Sequence, residues 1–176
     1  HKGYWFHGAN REQMTMTQFA KLIKSGSTVI EVGGHIGYIS LYYSQLVGEK
    51  GHVIVFEPGP NNLPYLMHNT SKKANIRIIE KAVSDTDGKL LFYVEELTGQ
   101  NNTLIKNFER FKQNLANANI DATYKTINVE ASKLDTILPQ LVEKVDFIKI
   151  DVEGAELQVL MGAKQIIEVY KPIIMV

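Results

Sequence analysis

The stretch Thr28-Val29-Ile30-Glu31-Val32-Gly33-Gly34-His35-Ile36-Gly37 leaves this chain few ways to fold. Thr28 to Val32 reads as a buried strand. Gly33 and Gly34 permit positive φ and close backbone approach. Ile36, Ile39, Tyr43 and Leu46 then recur at helical spacing. A strand that turns through glycines into a helix presents backbone N–H groups to an anion, with the helix dipole behind them. The stretch is therefore expected to hold a small ligand bearing a negative group.

The neighbouring sequence repeats the strand–helix rhythm. Residues 11–25 place Met16, Phe19, Ala20 and Ile23 on one helical face, ended by Gly26. His52 to Glu57 is a second buried strand, closed by Pro58. Residues 60–71 form the next helix, with Asn61 or Asn62 as cap and Pro64 in the first turn. Ile76 to Glu80 begins a third strand that runs toward Ala82-Val83-Ser84. Val145 to Asp151 is a fourth, followed by the turn Val152-Glu153-Gly154. A helix over 156–170 then turns Leu157, Leu160, Met161 and Ile167 inward, and Pro172 to Val176 opens another strand. Such alternation implies right-handed βαβ units and a doubly wound, mostly parallel α/β sheet.

The rhythm breaks over about 85–140. Asp85 to Gly88 is a turn, Lys89 to Val94 and Tyr124 to Val129 are strands, and Leu134 to Leu138 is a short helix. Between them lie a polar loop at 98–103, an amphipathic helix carrying Leu104, Ile105, Phe108, Phe111 and Leu115, and an Asn/Ala-rich loop at 114–122. An insertion of this length in an α/β domain is usually functional, and it is placed over the carboxyl ends of the strands. Residues 1–10 read as a surface arm whose Trp5 and Phe6 pack on the domain or a neighbour.

Composition excludes several classes. The 176 residues carry 19 basic and 19 acidic side chains, so no bulk charge draws the chain to nucleic acid or an anionic membrane. No apolar run is long enough for a transmembrane helix. The absence of cysteine removes disulfides, thiolate metal sites and cysteine nucleophiles without settling the compartment; a cytoplasmic location is the default expectation. Both ends, His1 and the apolar Pro172 to Val176, read as cut from a longer protein. Oligomeric state is open.

In a doubly wound sheet, ligands bind beyond the carboxyl ends of the strands. Glu57 ends the second strand 24 positions after Gly33, where a carboxylate accepts hydrogen bonds from both ribose hydroxyls. That suits an adenosine-containing ligand. The dinucleotide fingerprint G-x-G-x-x-G fails, because its second and third glycine positions fall on His35 and Tyr38. A phosphate-binding Gly-Lys-Ser/Thr loop is absent as well.

The remaining constellation is ordered. It comprises Ile30 to Gly37, Val55-Phe56-Glu57-Pro58, Ala82 to Asp85 with Gly88, Leu134-Asp135, and Asp146-Phe147-Ile148-Lys149-Ile150-Asp151-Val152-Glu153-Gly154-Ala155-Glu156. Over residues 26–176 this resembles the FkbM-type family of class I S-adenosylmethionine-dependent methyltransferases. The resemblance assigns residues 1–25 to an arm and helix, and 26–176 to a cofactor-binding domain of Rossmann-like fold. It implies a closing hairpin of two strands after Val176, missing from this sequence. It also implies Asp, Ala and Asn as the family's usual residues at Glu31, Gly34 and His35.

The implied activity is O-methyl transfer to a hydroxyl of a sugar or other small natural product, with neither nucleic acid nor membrane as partner. A catalytically inactive module that binds the same cofactor is the alternative. Gly33, Gly34 and Gly37 would shape the loop around the methionine carboxylate, with His35 in contact and Glu31 orienting the loop or drawing the ammonium. Glu57 and Pro58 would hold the ribose, and Val83 and Ser84 the adenine. Asp151 would face the methyl donor, and Glu153 would reach the acceptor as first candidate for the base, with Asp151 second. Hard carboxylates at Asp151 and Glu153 also suit a divalent metal, but no third ligand is evident and no metal is assigned. Asn101, Asn102 and Thr103 are placed near the acceptor, with the sequons at Asn69 and Asn101 read as chance. Lys149, costly in mid-strand unless paired, has Asp151 two residues on and on the same side.

Overall fold

Strand residues of opposite parity face two different layers, and this sorts the core. In the computed structural model, which describes residues 13–95, 102–104 and 124–176, the elements follow in order. They are α1 (Gln13–Leu22), β1 (Thr28–Val32), α2 (Tyr38–Val47), β2 (His52–Phe56), α3 (Leu63–Thr70), β3 (Ile76–Ile79), β4 (Ala82–Val83) and β5 (Gly88–Glu95). After them come β6 (Tyr124–Ser132), α4 (Leu134–Ile137), a 3-10 turn (Leu138–Gln140), β7 (Phe147–Ile150), α5 (Glu156–Met161), α6 (Lys164–Tyr170) and β8 (Ile173–Met175). The expected arm at 1–10, Asn101, and the expected helix and loop at 105–122 lie outside the described residues.

Five strands make one sheet in the order β3-β2-β1-β7-β8, with every pairing parallel. The order reverses between β1 and β7, which makes their carboxyl ends the switch point of the sheet. Val29, Val53, Val55 and Phe147 face α1, α2 and α3, packing with Phe19, Tyr43, Val47 and Leu66. Ile30, Val32, Ile54, Phe56, Ile148 and Ile150 face the other way, onto Leu134, Leu138, Val159 and Ile166. α1 belongs to this core: Phe19 is fully buried and meets the rings of Tyr43 and Phe147 edge-on. Among the described residues no helix is long and apolar enough to cross a membrane.

Three expectations change. The third strand ends at Ile79, and Ala82–Val83 is a separate strand in a second sheet of order β4-β6-β5. Lys81 N donates to Ile79 O, turning the chain out of the first sheet. The helix expected over 60–71 starts at Leu63; Asn62 takes the cap position, but its side chain makes no capping bond. The helix expected over 156–170 is two helices, broken at Gly162–Ala163. The break resets the helical phase, so Leu157 and Met161 point to solvent while Val159, Ala163 and Ile166 fill the core.

Gly162 causes that break by packing backbone on backbone. A Cβ there would stand 2.0 Å from the Ser84 carbonyl oxygen. Asp135 N donates to Gly162 O, and the Asp135 carboxylate accepts from Gln165 N and Ile166 N, capping α6 from another element. Gly162 has an ordinary negative φ, whereas Gly88 has φ +116° and open space around it. The two sites separate sterics from backbone strain. Gly162→Ala is expected to destabilise by about 2–3 kcal/mol through overpacking. Gly88→Ala should cost only about 1 kcal/mol through its conformation. Urea midpoints of the two variants check the order; equal losses would refute the steric account.

Candidate active site

The carboxyl ends of β1, β2 and β7 surround one cavity of about 270 Å³. Of the residues marked by sequence, Glu31, Gly33, Gly34, His35, Glu57, Pro58, Val83, Asp151 and Glu153 line it, together with Asn102 and Thr103. Gly37 and Ser84 do not. Gly37, at φ +85°, instead lets α2 start close against Leu66 and Thr70 of α3. Ser84 is buried away from the cavity, its N–H bonded to Ser132 O and its carbonyl against Gly162.

The glycine loop spends its N–H groups on the protein. Gly33 N and Gly34 N both donate to Phe56 O, His35 N donates to Glu57 Oε2 at 2.8 Å, and Gly37 N donates to Gly34 O. This corrects the expectation that the loop offers these groups to an anion. Tyr38 and Ile39 at the start of α2 also line the cavity, and the cap residue before them is a glycine with no side-chain acceptor. Close approach explains Gly33: a Cβ on it would overlap the Asp151 carbonyl oxygen at 2.0 Å.

Glu57 is buried, and its carboxylate gathers three donors. These are His35 N, Gly59 N at 2.8 Å and Asn62 Nδ2 at 3.2 Å. Asn62 was missed as a site residue because its cap position explained it too readily. Lys81, Phe92 and Leu104 also line the cavity. Of these, the sequence places Phe92 in a strand and Leu104 on an apolar helical face, and marks neither for the site.

Glu31 is also buried but has a different environment. It accepts the Ser40 hydroxyl from α2 and lies in register with Lys149 of β7. Lys149 Nζ meets Asp151 Oδ2 at 2.5 Å, the pairing expected from their two-residue spacing. Burial pushes the Glu31 carboxyl up to about 7, against the lowering effects of Lys149 and the Ser40 hydrogen bond; Asp151 and Glu57 add to the rise. The Glu153 carboxyl is raised by partial burial, then by Asp151 and Glu156. Thr103 Oγ1 donates to the Glu153 carbonyl at 2.6 Å, tying the loop before residue 105 to the 151–154 turn. Among the described residues no group of three or more acidic or histidine side chains could hold a metal.

Two expectations for stability follow from these environments. Folding holds a proton on Glu31 more tightly than the unfolded chain does. Its contribution therefore falls as pH rises from about 4.5 and is fully lost above about 7. The change is on the order of 3 kcal/mol. Glu31→Gln keeps an acceptor for Ser40 and should flatten that part of the profile; urea unfolding at pH 5, 6, 7 and 8 tests it. The loop supplies the second expectation. A Cβ at Gly34 would meet Val55 Cγ1 at 2.2 Å, while His35 holds φ +47°. Gly34→Ala should cost about 1–3 kcal/mol. His35→Asn should be neutral or stabilise by up to about 1 kcal/mol, since asparagine takes left-handed backbone more readily. Thermal melts in which Gly34→Ala is neutral, or His35→Asn is clearly destabilising, would refute this reading of the loop.

Comparison with known proteins places the chain in a family. Residues 31–176 match the methyltransferase FkbM domain family. The methyltransferase sdnD of Sordaria araneosa is 27% identical over 164 residues, covering 81% of this chain and 62% of that protein. The 2-O-methyltransferase NoeI of Sinorhizobium fredii (strain NBRC 101917 / NGR234) is 26% identical over 147 residues, covering 82% and 60%. The chain thus spans about three fifths of the length of these relatives. The crystal structure of methyltransferase FkbM from Methylobacillus flagellatus KT shares the fold, with a TM-score of 0.55 at 20% identity over 86% of this chain and 32% of that one. With the family model spanning β1 through β8, this chain belongs to the methyltransferase FkbM domain family.

Proposed function

We propose that this chain is an S-adenosylmethionine-dependent O-methyltransferase acting on a hydroxyl of a sugar or other small natural product. One observation carries the reading: the ends of β1, β2 and β7 bring Glu31, Glu57, Asp151 and Glu153 around a single cavity at the switch point. Family membership and the 2-O-methyltransferase name of a relative support it.

The residues present suit the donor by their chemistry. Glu57 places a buried carboxylate at the end of β2, oriented by His35 N, Gly59 N and Asn62 Nδ2, and a carboxylate is the acceptor that ribose hydroxyls require. Val83 supplies an apolar wall for adenine. Glu31 and Asp151 supply negative charge for an ammonium, and α2, whose Tyr38 and Ile39 line the cavity, supplies the positive end of its helix dipole for a carboxylate. When bound, S-adenosylmethionine brings a methyl group made electrophilic by its sulfonium. The chain must then hold the acceptor oxygen in line and take its proton. Glu153 suits the role of proton acceptor. It lines the cavity, its carboxyl is raised by partial burial, and Thr103 steadies its turn. Asp151, held by Lys149, serves the donor side, and no step is assigned to a metal.

Calorimetry with S-adenosylmethionine, followed by S-adenosylhomocysteine release across a panel of hydroxylated glycans and small natural products, tests the reading. Glu153→Gln should leave donor affinity within about twofold and lower turnover about 10²–10⁴-fold. Absence of donor binding by the full chain would sink the proposal. Binding without transfer to any acceptor would favour a cofactor-binding module.

A further inference from the structure

We propose that Lys149 is a positioning residue for the donor end of the cavity, acting through Glu31 and Asp151 so that their carboxylates meet the ammonium of a bound amino-acid moiety. This rests on the reading above that the cavity takes S-adenosylmethionine.

The geometry comes from the sheet. Glu31 of β1 and Lys149 of β7 are partners in a parallel register, so both side chains leave the same face, the one covered by α2. Asp151 follows two residues later on that face, and its Oδ2 meets Lys149 Nζ at 2.5 Å. Lys149 is only 13% exposed, whereas Asp151 is 64% exposed. The cation is thus sunk beside the buried carboxylate, and it holds the open one at the cavity rim. All three side chains line the cavity.

A lysine in this place looks opposed to binding a cation, since like charges repel. Its effect on Glu31 decides the matter. The groups that face Glu31 are Lys149 and Asp151 from β7, Glu57 beyond β2, and the Ser40 hydroxyl from α2. Two of the three charged groups are acids, which together with burial favour the neutral carboxyl. Lys149 is the one charged neighbour that opposes them. Without it Glu31 would keep its proton at neutral pH and offer an ammonium no charge. His35 also lines the cavity, and histidine is the side chain whose ordinary titration falls between pH 5 and 8, so it must be separated experimentally.

The test is the pH profile of ligand affinity, measured by calorimetry from pH 5.5 to 8.5 on the full chain. The probes are S-adenosylhomocysteine, which carries the amino-acid end, and 5′-methylthioadenosine, which lacks it. Wild-type affinity for S-adenosylhomocysteine should rise with pH through a midpoint near 7, and affinity for 5′-methylthioadenosine should stay flat. Lys149→Met should move that midpoint up by about one unit. It should weaken S-adenosylhomocysteine about fivefold at pH 7 and return to within about twofold of wild type by pH 8.5. Lys149→Arg should keep the wild-type profile, and Glu31→Gln should flatten it.

Three results would overturn the inference while leaving the proposed function standing: a flat wild-type profile, an equal loss of both ligands at every pH in Lys149→Met, or loss of the pH dependence in His35→Asn. If Lys149→Met does not fold, the wild-type, Lys149→Arg and Glu31→Gln profiles decide alone. Failure of both S-adenosylmethionine and S-adenosylhomocysteine to bind the wild type would overturn the functional reading itself.

Discussion

The site depends on one close contact, the Gly33 backbone against the Asp151 carbonyl. Asp151 N donates to Val32 O, so β1 and β7 stay paired to their last residues. Only a glycine can follow Val32 there, because any Cβ would overlap the Asp151 oxygen. Beyond this point the chains part, one into the 33–37 loop and one into the 151–154 turn, and the cavity opens between them. β2 clamps the loop from the other side, with Phe56 O accepting from Gly33 N and Gly34 N and Glu57 accepting from His35 N. The acidic side chains hold their places because the backbone between them cannot shift.

The two buried glutamates show how differently a desolvated carboxylate is accommodated. Among the described residues Glu57 is met by two backbone N–H groups and an amide. Glu31 has a single hydroxyl and a cation across the strand, and burial prevails over both. One acid is therefore held mainly by backbone donors, and the other mainly by its charged neighbours. Glu57 also organises the loop, since His35 N and Gly59 N depend on it. Its removal would disturb backbone and ligand site together.

Much of the donor half was legible because strict local rules produced it. Alternating apolar strands gave a parallel sheet, a glycine after a strand gave the loop, and Lys149 needed a partner that period two placed at Asp151. Other features were not legible, because they depend on contacts between distant residues. Leu157 and Met161 fit an inward helical stripe until Gly162, packed on Ser84, broke the helix and turned them out. Ser84 left the site for the same reason. Gly34 read as loop chemistry, yet it is required by Val55 and Leu66, and nothing in the local pattern announces that crowding. The loop N–H groups counted as donors to a ligand until their carbonyl partners on β2 were seen.

The wall that the second sheet adds to the cavity follows another logic. The second sheet reaches the cavity through its β5 edge: Tyr93 and Thr103 exchange backbone hydrogen bonds, and Thr103 Oγ1 grips the Glu153 carbonyl. On the opposite rim Asn102 accepts from Glu95 N and donates to Asn61 Oδ1, while Asn61 donates to Glu95 O. The insertion is thus tied both to the turn that carries the base candidate and to the segment after Glu57. These ties use short polar side chains, which suit many loops and have no period. A donor site built on backbone packing tolerates few residues and so can be read. A wall hung on side-chain hydrogen bonds can change its lining without disturbing the floor of the cavity.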